Sequence, residues 1–566
     1  MGLDFTADGP PMTIQARYGR DEIKAFYTAG LWQPLNLYQL IAERAQTVPD
    51  QRFCFDSTTS YTYREFHDRV LRVAIGLKRE GVNGGDRILV QLPNWTEFPI
   101  IAGALSRLGA ILVPIMPIYR GDEVGYILAH SGASGAIACG EFRGFDHAAM
   151  FAQLSTEAEH LRFMVEVRGA GGNATPFENL VASGELADLE TEGGDANSPD
   201  DGFLIVYTSG TTSRPKGCYH SFNTVHASAW SMAGDLGYTN EDVQFGPSPI
   251  THSTGLVTSV VLPLLVGAQT HLMEAWDPEE GLRRIEQHGC TAAVTATPFL
   301  QMLLNEYDPQ HHDASSLRLW VCAGSPIPSA VVEDAQRVLP KCRTLSLYGR
   351  SENFVTTMCT LADDPDRAIV SDGSPVKGAA VKIVDTDGHE VPRGDDGDIA
   401  YRGPSHMIGY YANQEETEAL FTSEGYSRSG DLGRMDVGGY VRVTGRIKDI
   451  IIRGGVNISA REIEEHLARH PAIQHVAAVG MPDERLGERV CIYVVLASSV
   501  ETLTLDELTT YLRNQKVATP KLPERLEIMG ALPMTATGKV QKNLLRADVA
   551  TKVKVGATRG TRSLAS

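Results

Sequence analysis

Phe203-Leu-Ile-Val-Tyr-Thr-Ser-Gly-Thr-Thr-Ser-Arg-Pro-Lys-Gly217 is the stretch on which the reading of this chain turns. It opens as a short apolar run of the kind that forms a buried strand. Tyr207–Gly217 then gathers Thr208, Ser209, Thr211, Thr212 and Ser213 around Gly210, with Lys216 close behind. Glycine lets backbone N–H groups approach a ligand, hydroxyls donate hydrogen bonds, and lysine supplies positive charge, a combination that suits a polyphosphate. The loop is not a Walker A motif, because Pro215 stands where that motif has its second glycine, and the pair Gly538-Lys539 is followed by Val540 instead of Ser or Thr. A flexible Ser/Thr linker is the alternative, and it fits poorly directly behind a buried strand.

Similar apolar runs recur at RILVQL (87–92), TAAVTA (291–296), LRLWVCAG (317–324) and RTLSLYG (343–349). Helix-like segments follow several of them: SPIPSAVVEDAQRVL after Gly324, and TPFLQMLLNE with Pro298 placed for a helix start. This alternation predicts an α/β protein with mostly buried sheets, whose ligands sit in crevices beyond the carboxyl ends of strands. At 566 residues the chain exceeds what one core supports, so more than one domain is expected. A smaller α+β unit begins near GRIKDIIIRGGVNIS (445–459). It continues with the caps Ser459-x-x-Glu462 and Thr504-x-x-Glu507 and strands at 475–481 and 490–497. The boundary falls at Lys448, giving a large multi-layered domain over 1–447 and a small one over 448–566. The small, polar, basic segment 551–566 reads as a disordered tail.

Composition sets the outer limits. With 42% hydrophobic and 21% charged residues the chain is an ordinary globular one, and 51 Lys+Arg against 70 Asp+Glu give a formal charge of −19. That field repels phosphate backbones and anionic lipid, so nucleic acid and membrane surface are not expected partners. The apolar stretches near 100–119 and 255–268 are interrupted by Arg107, Pro114 and Pro117 or by Pro263, and fall short of a membrane span. Eight scattered cysteines form no C-x-x-C pair. With no apolar N-terminal leader, they suit a reducing cytoplasmic setting.

Five ordered motifs resemble the adenylate-forming superfamily of acyl-CoA synthetases, adenylation domains of peptide synthetases and luciferases. The loop Tyr207–Gly217 resembles its phosphate-binding signature, and Tyr348-Gly-Arg-Ser-Glu352 its Y-G-x-T-E, with Ser351 for threonine. GDIAYRGPSHMIGYY (397–411) is similar to G-E-x-x-x-R-G-P with Asp398 for glutamate, and 427–451 to Y-x-T-G-D…G-R-x-K-D. LPMTATGKVQKNLLR (532–546) resembles the closing L-P-R-T-x-x-G-K, with Met534 for arginine.

The resemblance implies a two-step reaction: a carboxylate and ATP give acyl-adenylate and pyrophosphate, and a thiolate then displaces AMP to form a thioester. It implies Lys539 bridging the acyl carboxylate and the phosphate, where opposed negative charges must be neutralised. Thr208 and Glu352 would hold Mg²⁺, a carboxylate and a hydroxyl suiting a hard cation. Ser209, Gly210, Thr211, Thr212, Lys216, Gly349 and Ser351 would complete the ATP site. Asp431 would accept from the ribose hydroxyls, Arg446 would contact ribose or phosphate, and Tyr348 would face the Gly324-Ser325 turn across the adenine. Without the motifs, Lys539 would pass for a solvated lysine, Glu352 for a helix cap, Asp431 for a turn residue and Tyr348 for core.

For the acid, the resemblance points to His252 in PSPITHSTG, with Gly324, Phe299, Asn353 and Phe354 as further lining. Thr251 and His252 stand near where α-amino-acid-activating relatives place an aspartate for the substrate ammonium, which disfavours amino acids. The start AGLWQPLNLYQLIAERAQTVPDQ (29–51) resembles cyclohexanecarboxylate and medium-chain acyl-CoA ligases and points to an apolar acid. A free-standing chain without a carrier segment favours CoA as acceptor. A carrier-protein pantetheine presents the same thiol, so an acyl-AMP ligase is the alternative; a non-catalytic nucleotide-binding scaffold is the reading from another class. Gly454-Gly455 would approach CoA after the small domain rotates about a hinge at Lys448. A homodimer stays open.

Overall fold

In the computed structural model, residues 13–169, 174–183, 197–208, 214–325, 327–498, 500–535 and 539–562 are described. Among them the large domain is built on two extended sheets. One runs in the order Gly409–Tyr410, Gly217–Ser221, Gly202–Tyr207, Ile111–Pro114, Arg87–Gln91, Gly135–Cys139, Phe163–Val167 and Thr175–Pro176. The other runs Ser374–Pro375, Thr357–Met358, Arg343–Tyr348, Leu319–Cys322, Ala292–Thr295, Val243–Gly246, Gln269–Leu272, Arg52–Phe55 and Ser60–Thr62. The central strands of both are parallel and buried, as their continuous apolar runs require. Helix Thr297–Glu306 carries Pro298 in its first turn, and helix Ser329–Val338 starts directly after Pro328.

The phosphate-loop candidate is a connection between two antiparallel strands rather than a strand-to-helix turn. Tyr207 pairs with Gly217 and the Thr208 N–H donates to the Lys216 carbonyl, which extends the pairing of the strands Gly202–Tyr207 and Gly217–Ser221 on either side of it. Helix Phe222–Asp235 follows only after the return strand, capped by Ser221.

A four-stranded antiparallel sheet, Ala380–Val384, Gly397–Arg402, Ser427–Met435 and Val441–Arg446, leads to the small domain. There, the paired strands Ile473–Asp483 and Gly487–Leu496 pack on helix Ala460–Leu467, which is capped by Ser459 as expected. Lys448 sits in the single 3₁₀ turn Ile447–Asp449 that joins the two units. The small domain rests on the large one through Arg442–Glu465 (2.8 Å), Arg469–Glu333 (3.0 Å) and the Ser459 hydroxyl donating to the Thr444 carbonyl (2.6 Å).

Of the segment 551–566 expected to form a disordered tail, residues 551–562 continue the helix Lys542–Arg562 and 563–566 lie outside the described residues. Val549 packs beside Tyr493 in the core, and Lys552 pairs with Glu527 and Asp548 at 2.7 Å each, anchoring a stretch whose composition alone suggested none. No helix among the described residues is long and apolar enough to cross a membrane, and all eight cysteines are buried thiols.

Candidate active site

Tyr348 closes the strand Arg343–Tyr348, and the chain doubles back so tightly that a Cβ at Gly349 would overlap the Phe354 carbonyl. The return is sealed by the Thr356 N–H donating to the Tyr348 carbonyl at 2.8 Å. Asp431 and Arg446 are register neighbours on adjacent strands. Asp431 accepts from the Tyr348 hydroxyl through Oδ2 at 2.8 Å and pairs with Arg446 Nε through Oδ1 at 3.0 Å. Burial, reinforced by the Asp431 charge, pushes the Tyr348 phenol well above its usual range, so it stays a donor. These three side chains face a cavity of about 290 Å³ together with Gly324 and Ser325. Gly324 takes φ +69°, and the Ser325 hydroxyl accepts from the Thr297 N–H at 3.1 Å.

A second, smaller cavity of about 50 Å³ lies behind the first, walled by Met232, His252, Val257 and Phe354. Part of its wall is the π-helical turn Val257–Val261. Phe354 stacks on His220 at 4.3 Å between ring centroids. Lys539, Gly324, Leu347 and Gly349 belong to both cavities, and Lys539 is the one cation among these four shared residues. Burial, with Arg446 nearby, lowers the Lys539 ammonium to about 8 against the opposing pull of Asp431 and Glu352. Burial and the Lys539 charge lower His252 to about 3, so that ring is neutral at physiological pH and caps the turn Ser253–Leu256.

Glu352 hangs from the same tight loop. Its Oε1 accepts from the Tyr410 hydroxyl at 2.6 Å, and its carbonyl from the Met407 N–H at 2.7 Å. Among the described residues, no hydrogen bond occupies its Oε2, and the Thr208 hydroxyl accepts a long 3.3 Å bond from the Lys216 N–H and no other. A carboxylate and a hydroxyl with spare lone pairs are the donor types that a hard divalent cation takes. Lys216 instead pairs with Glu416 at 2.5 Å and lies over the Tyr410 ring, outside both cavities. Ser209, Gly210, Thr211 and Thr212 lie outside the described residues.

Several expectations change. Ser351 lines the smaller cavity, not the larger. Phe299 packs against Trp276 in the core, 5.1 Å between rings, and reaches neither cavity, because the helix from Thr297 turns that position inward. Asn353 is fully buried and spent on Thr356 and Arg350, so it supports the loop rather than lining it. Gly454 and Gly455, at φ +57° and +83°, form the two-residue turn of the hairpin Ile451–Arg453/Val456–Ile458 and line neither cavity here, which leaves their expected approach to CoA after a rotation untouched. Met232, Thr254, Val257 and Arg350 were missed as cavity residues. Of these, Arg350 inside the Tyr348–Glu352 motif and Thr254 inside PSPITHSTG stood in stretches that the sequence had marked.

The chain is similar to known proteins over most of its length. The family model described as AMP-binding enzyme matches residues 41–411, and that of the AMP-binding enzyme C-terminal domain matches 462–539. A medium-chain fatty-acid–CoA ligase of Escherichia coli (strain K12) is 34% identical over 97% of this chain and 96% of its own. A salicyl-AMP ligase / salicyl-S-ArCP synthetase of Mycobacterium tuberculosis is 32% identical over 93% of each. Among solved structures, an anthranilate CoA ligase in complex with anthranoyl-AMP superposes with a TM-score of 0.84 at 25% identity, covering 92% of this chain and 98% of that one.

Proposed function

The chain belongs to the AMP-binding enzyme family, and from that premise we propose that it is an acid–CoA ligase. A carboxylate oxygen attacks the α-phosphorus of ATP, pyrophosphate leaves, and the CoA thiolate then attacks the acyl carbon and releases AMP. The observation that carries this reading is Lys539, a cation common to the cavity lined by Tyr348, Asp431 and Arg446 and to a smaller one that Met232, Val257 and Phe354 help to wall. That position suits one ammonium lying between carboxylate and phosphate while their charges are forced together. Tyr348 and the Gly324-Ser325 turn would hold adenine, and Asp431 with Arg446 the ribose. Glu352 and Thr208 would hold Mg²⁺, which offsets triphosphate charge when bound. His252, neutral, would sit beside the acyl carboxylate without competing with Lys539 for it.

An apolar acid is favoured by Met232, Val257 and Phe354 and by the likeness to the Escherichia coli enzyme. A cavity of about 50 Å³ is smaller than the roughly 150 Å³ that takes a benzene. A medium-chain or alicyclic acid therefore needs Met232 or Phe354 to swing aside. The deciding assay is pyrophosphate release with short, medium, alicyclic and aromatic acids, with and without CoA. Thioester formation with CoA supports the reading, and adenylate formation that CoA never discharges sinks it.

A second reading, an acyl-AMP ligase that loads a carrier protein, is favoured by the likeness to the salicyl-AMP ligase. Transfer to a carrier pantetheine but not to CoA would select it. A non-catalytic scaffold fits poorly with Lys539 and Asp431 lining one cavity and Glu352 near enough for its charge to act on Lys539.

One lysine cannot cover the phosphates while a thiol approaches the same carbon. The small domain, 448–566, therefore turns about Lys448 between the steps, bringing Gly454-Gly455 toward the pantetheine. Proline at 448 fixes φ near roughly −65° and restricts that turn. Lys448→Pro should slow thioester formation more than adenylation and leave ATP affinity intact. Parent rates in both half-reactions would remove the hinge.

A further inference from the structure

We infer that Arg350 is a positioning residue that clamps the loop carrying Glu352 to the strand carrying Asp431, fixing the distance between the metal-and-phosphate end and the ribose end of the nucleotide site. The inference rests on the reading of that site given above. Its basis is the reach of one guanidinium. Arg350 Nε donates to Asn353 Oδ1 at 2.9 Å, Nη1 to the Arg428 carbonyl at 2.9 Å and Nη2 to the Ser427 hydroxyl at 2.7 Å. The first bond stays within its own loop. The other two cross 78 and 77 residues to the start of the strand Ser427–Met435, which holds Asp431.

Both ends of the clamp are anchored. On the loop side, Asn353 donates onward to Thr356 at 2.7 Å, and the Ser351 carbonyl is in hydrogen-bond contact with His220 at 2.8 Å. Glu352 thus stands between two pinned neighbours. On the strand side, Asp398 takes the N–H of Ser429 at 3.1 Å and of Gly430 at 2.9 Å, and pairs with Arg428 Nε at 3.1 Å. Tyr348 and Asp431 share a bond across the same gap, but a single hydroxyl leaves rotation about that contact free. A planar fork with three bonds in fixed directions does not, and lysine cannot reproduce it. The guanidinium is buried, and the carboxylates of Glu352 and Asp431 nearby offset the cost of burying its charge.

The test compares Arg350→Met, Arg350→Lys, Ser427→Ala and the double variant R350M/S427A. ATP binding is read by calorimetry with Mg²⁺ present, pyrophosphate release by KM and kcat for ATP and for the acid, and folding by Tm. Losing bonds from a charged donor should weaken ATP binding in R350M by roughly 10- to 100-fold, with KM for the acid unchanged. Arg350→Lys should recover only part, Ser427→Ala should lose less, and the double variant should be no worse than R350M, since one clamp has already been opened.

Parent ATP affinity in R350M overturns the proposal, whether or not Tm falls. So does a loss confined to KM for the acid, which would make Arg350 a substrate contact at the smaller cavity. Should R350M fail to fold, Arg350→Lys and Ser427→Ala decide, and parent ATP affinity in both overturns it. If the parent binds ATP but turns over no acid, the proposed reaction fails while the binding titrations still judge the clamp.

Discussion

The two cavities that meet at Lys539 are held in shape by different forces. The larger is framed by charge: Asp431 is tied to Tyr348 and Arg446 at 2.8 and 3.0 Å, and Lys539 is buried near both Asp431 and Glu352. The smaller has one wall held by packing: Met232 and Val257 are buried among apolar neighbours, and Phe354 lies flat on His220. A prearranged charge acts on whatever charge develops in the reaction, whereas packing acts on the size of what fits. Damage to the first side should therefore appear in rate and nucleotide affinity, and damage to the second in the choice of acid.

The largest effect should come from Lys539→Ala. Removing a cation that acts when negative charge gathers at the α-phosphorus should cost adenylation roughly 10²–10³ in rate. Thioester formation from preformed acyl-adenylate should suffer much less, and equal losses in both half-reactions, measured separately, would break the division of labour. The same lysine supplies a pH arm. Its pKa is lowered to about 8, so the ammonium is present below that pH and lost above it. Adenylation kcat/KM should fall as pH rises through 8, and Lys539→Arg should abolish that fall whatever its residual rate.

Asp431→Asn comes next. It keeps the shape but leaves Arg446 without its counter-charge and turns an ionised acceptor into a neutral one. ATP affinity should drop by roughly 10- to 100-fold, with the ranking of acids unchanged. A reordered ranking would mean that the two sides are coupled.

The contrast also explains what could be read in advance. Lys539, Glu352, Asp431, Arg446 and Tyr348 could be singled out because each lies in a short motif that resembles a known family's; taken one at a time they would pass for surface, cap, turn or core residues. The strand–helix alternation and the small domain's caps were legible from local pattern alone. Met232 lies on helix Phe222–Asp235, Val257 on a π-helical turn and Phe354 on the Tyr348 loop, and nothing in sequence spacing says that these meet. Phe299 shows the converse: a residue next to a promising proline, turned into the core by its helix. Lys216 shows a third limit, since its pairing with Glu416 depends on a segment 200 residues away.

Met232→Ala sharpens the acyl side. Shortening this wall should raise kcat/KM for acids longer than the parent's best by about three- to fourfold per methylene newly accommodated. ATP affinity should be unaltered, and stability should fall by about 2–5 kcal/mol, as for other buried truncations. An unchanged acid profile, measured over a homologous series, would move the specificity wall elsewhere.

The smallest expected effect concerns His252. An ordinary histidine titrates near 6.5, and a general base of that kind would give the rate an inflection between pH 5.5 and 7.5. Here burial and the neighbouring Lys539 charge hold the ring near 3, so it is already neutral throughout that range and has no proton to lose. The pH profile of adenylation should accordingly be flat from about pH 5.5 to 7.5 and bend only near 8, where Lys539 titrates. His252→Gln keeps a polar, uncharged group at the turn and should shift the rate modestly without moving that bend. A parent inflection near 6.5 that vanishes in His252→Gln would show that the imidazole gains and loses a proton during turnover. The acyl side would then work by charge as well as by packing, and the contrast between the two cavities would fail.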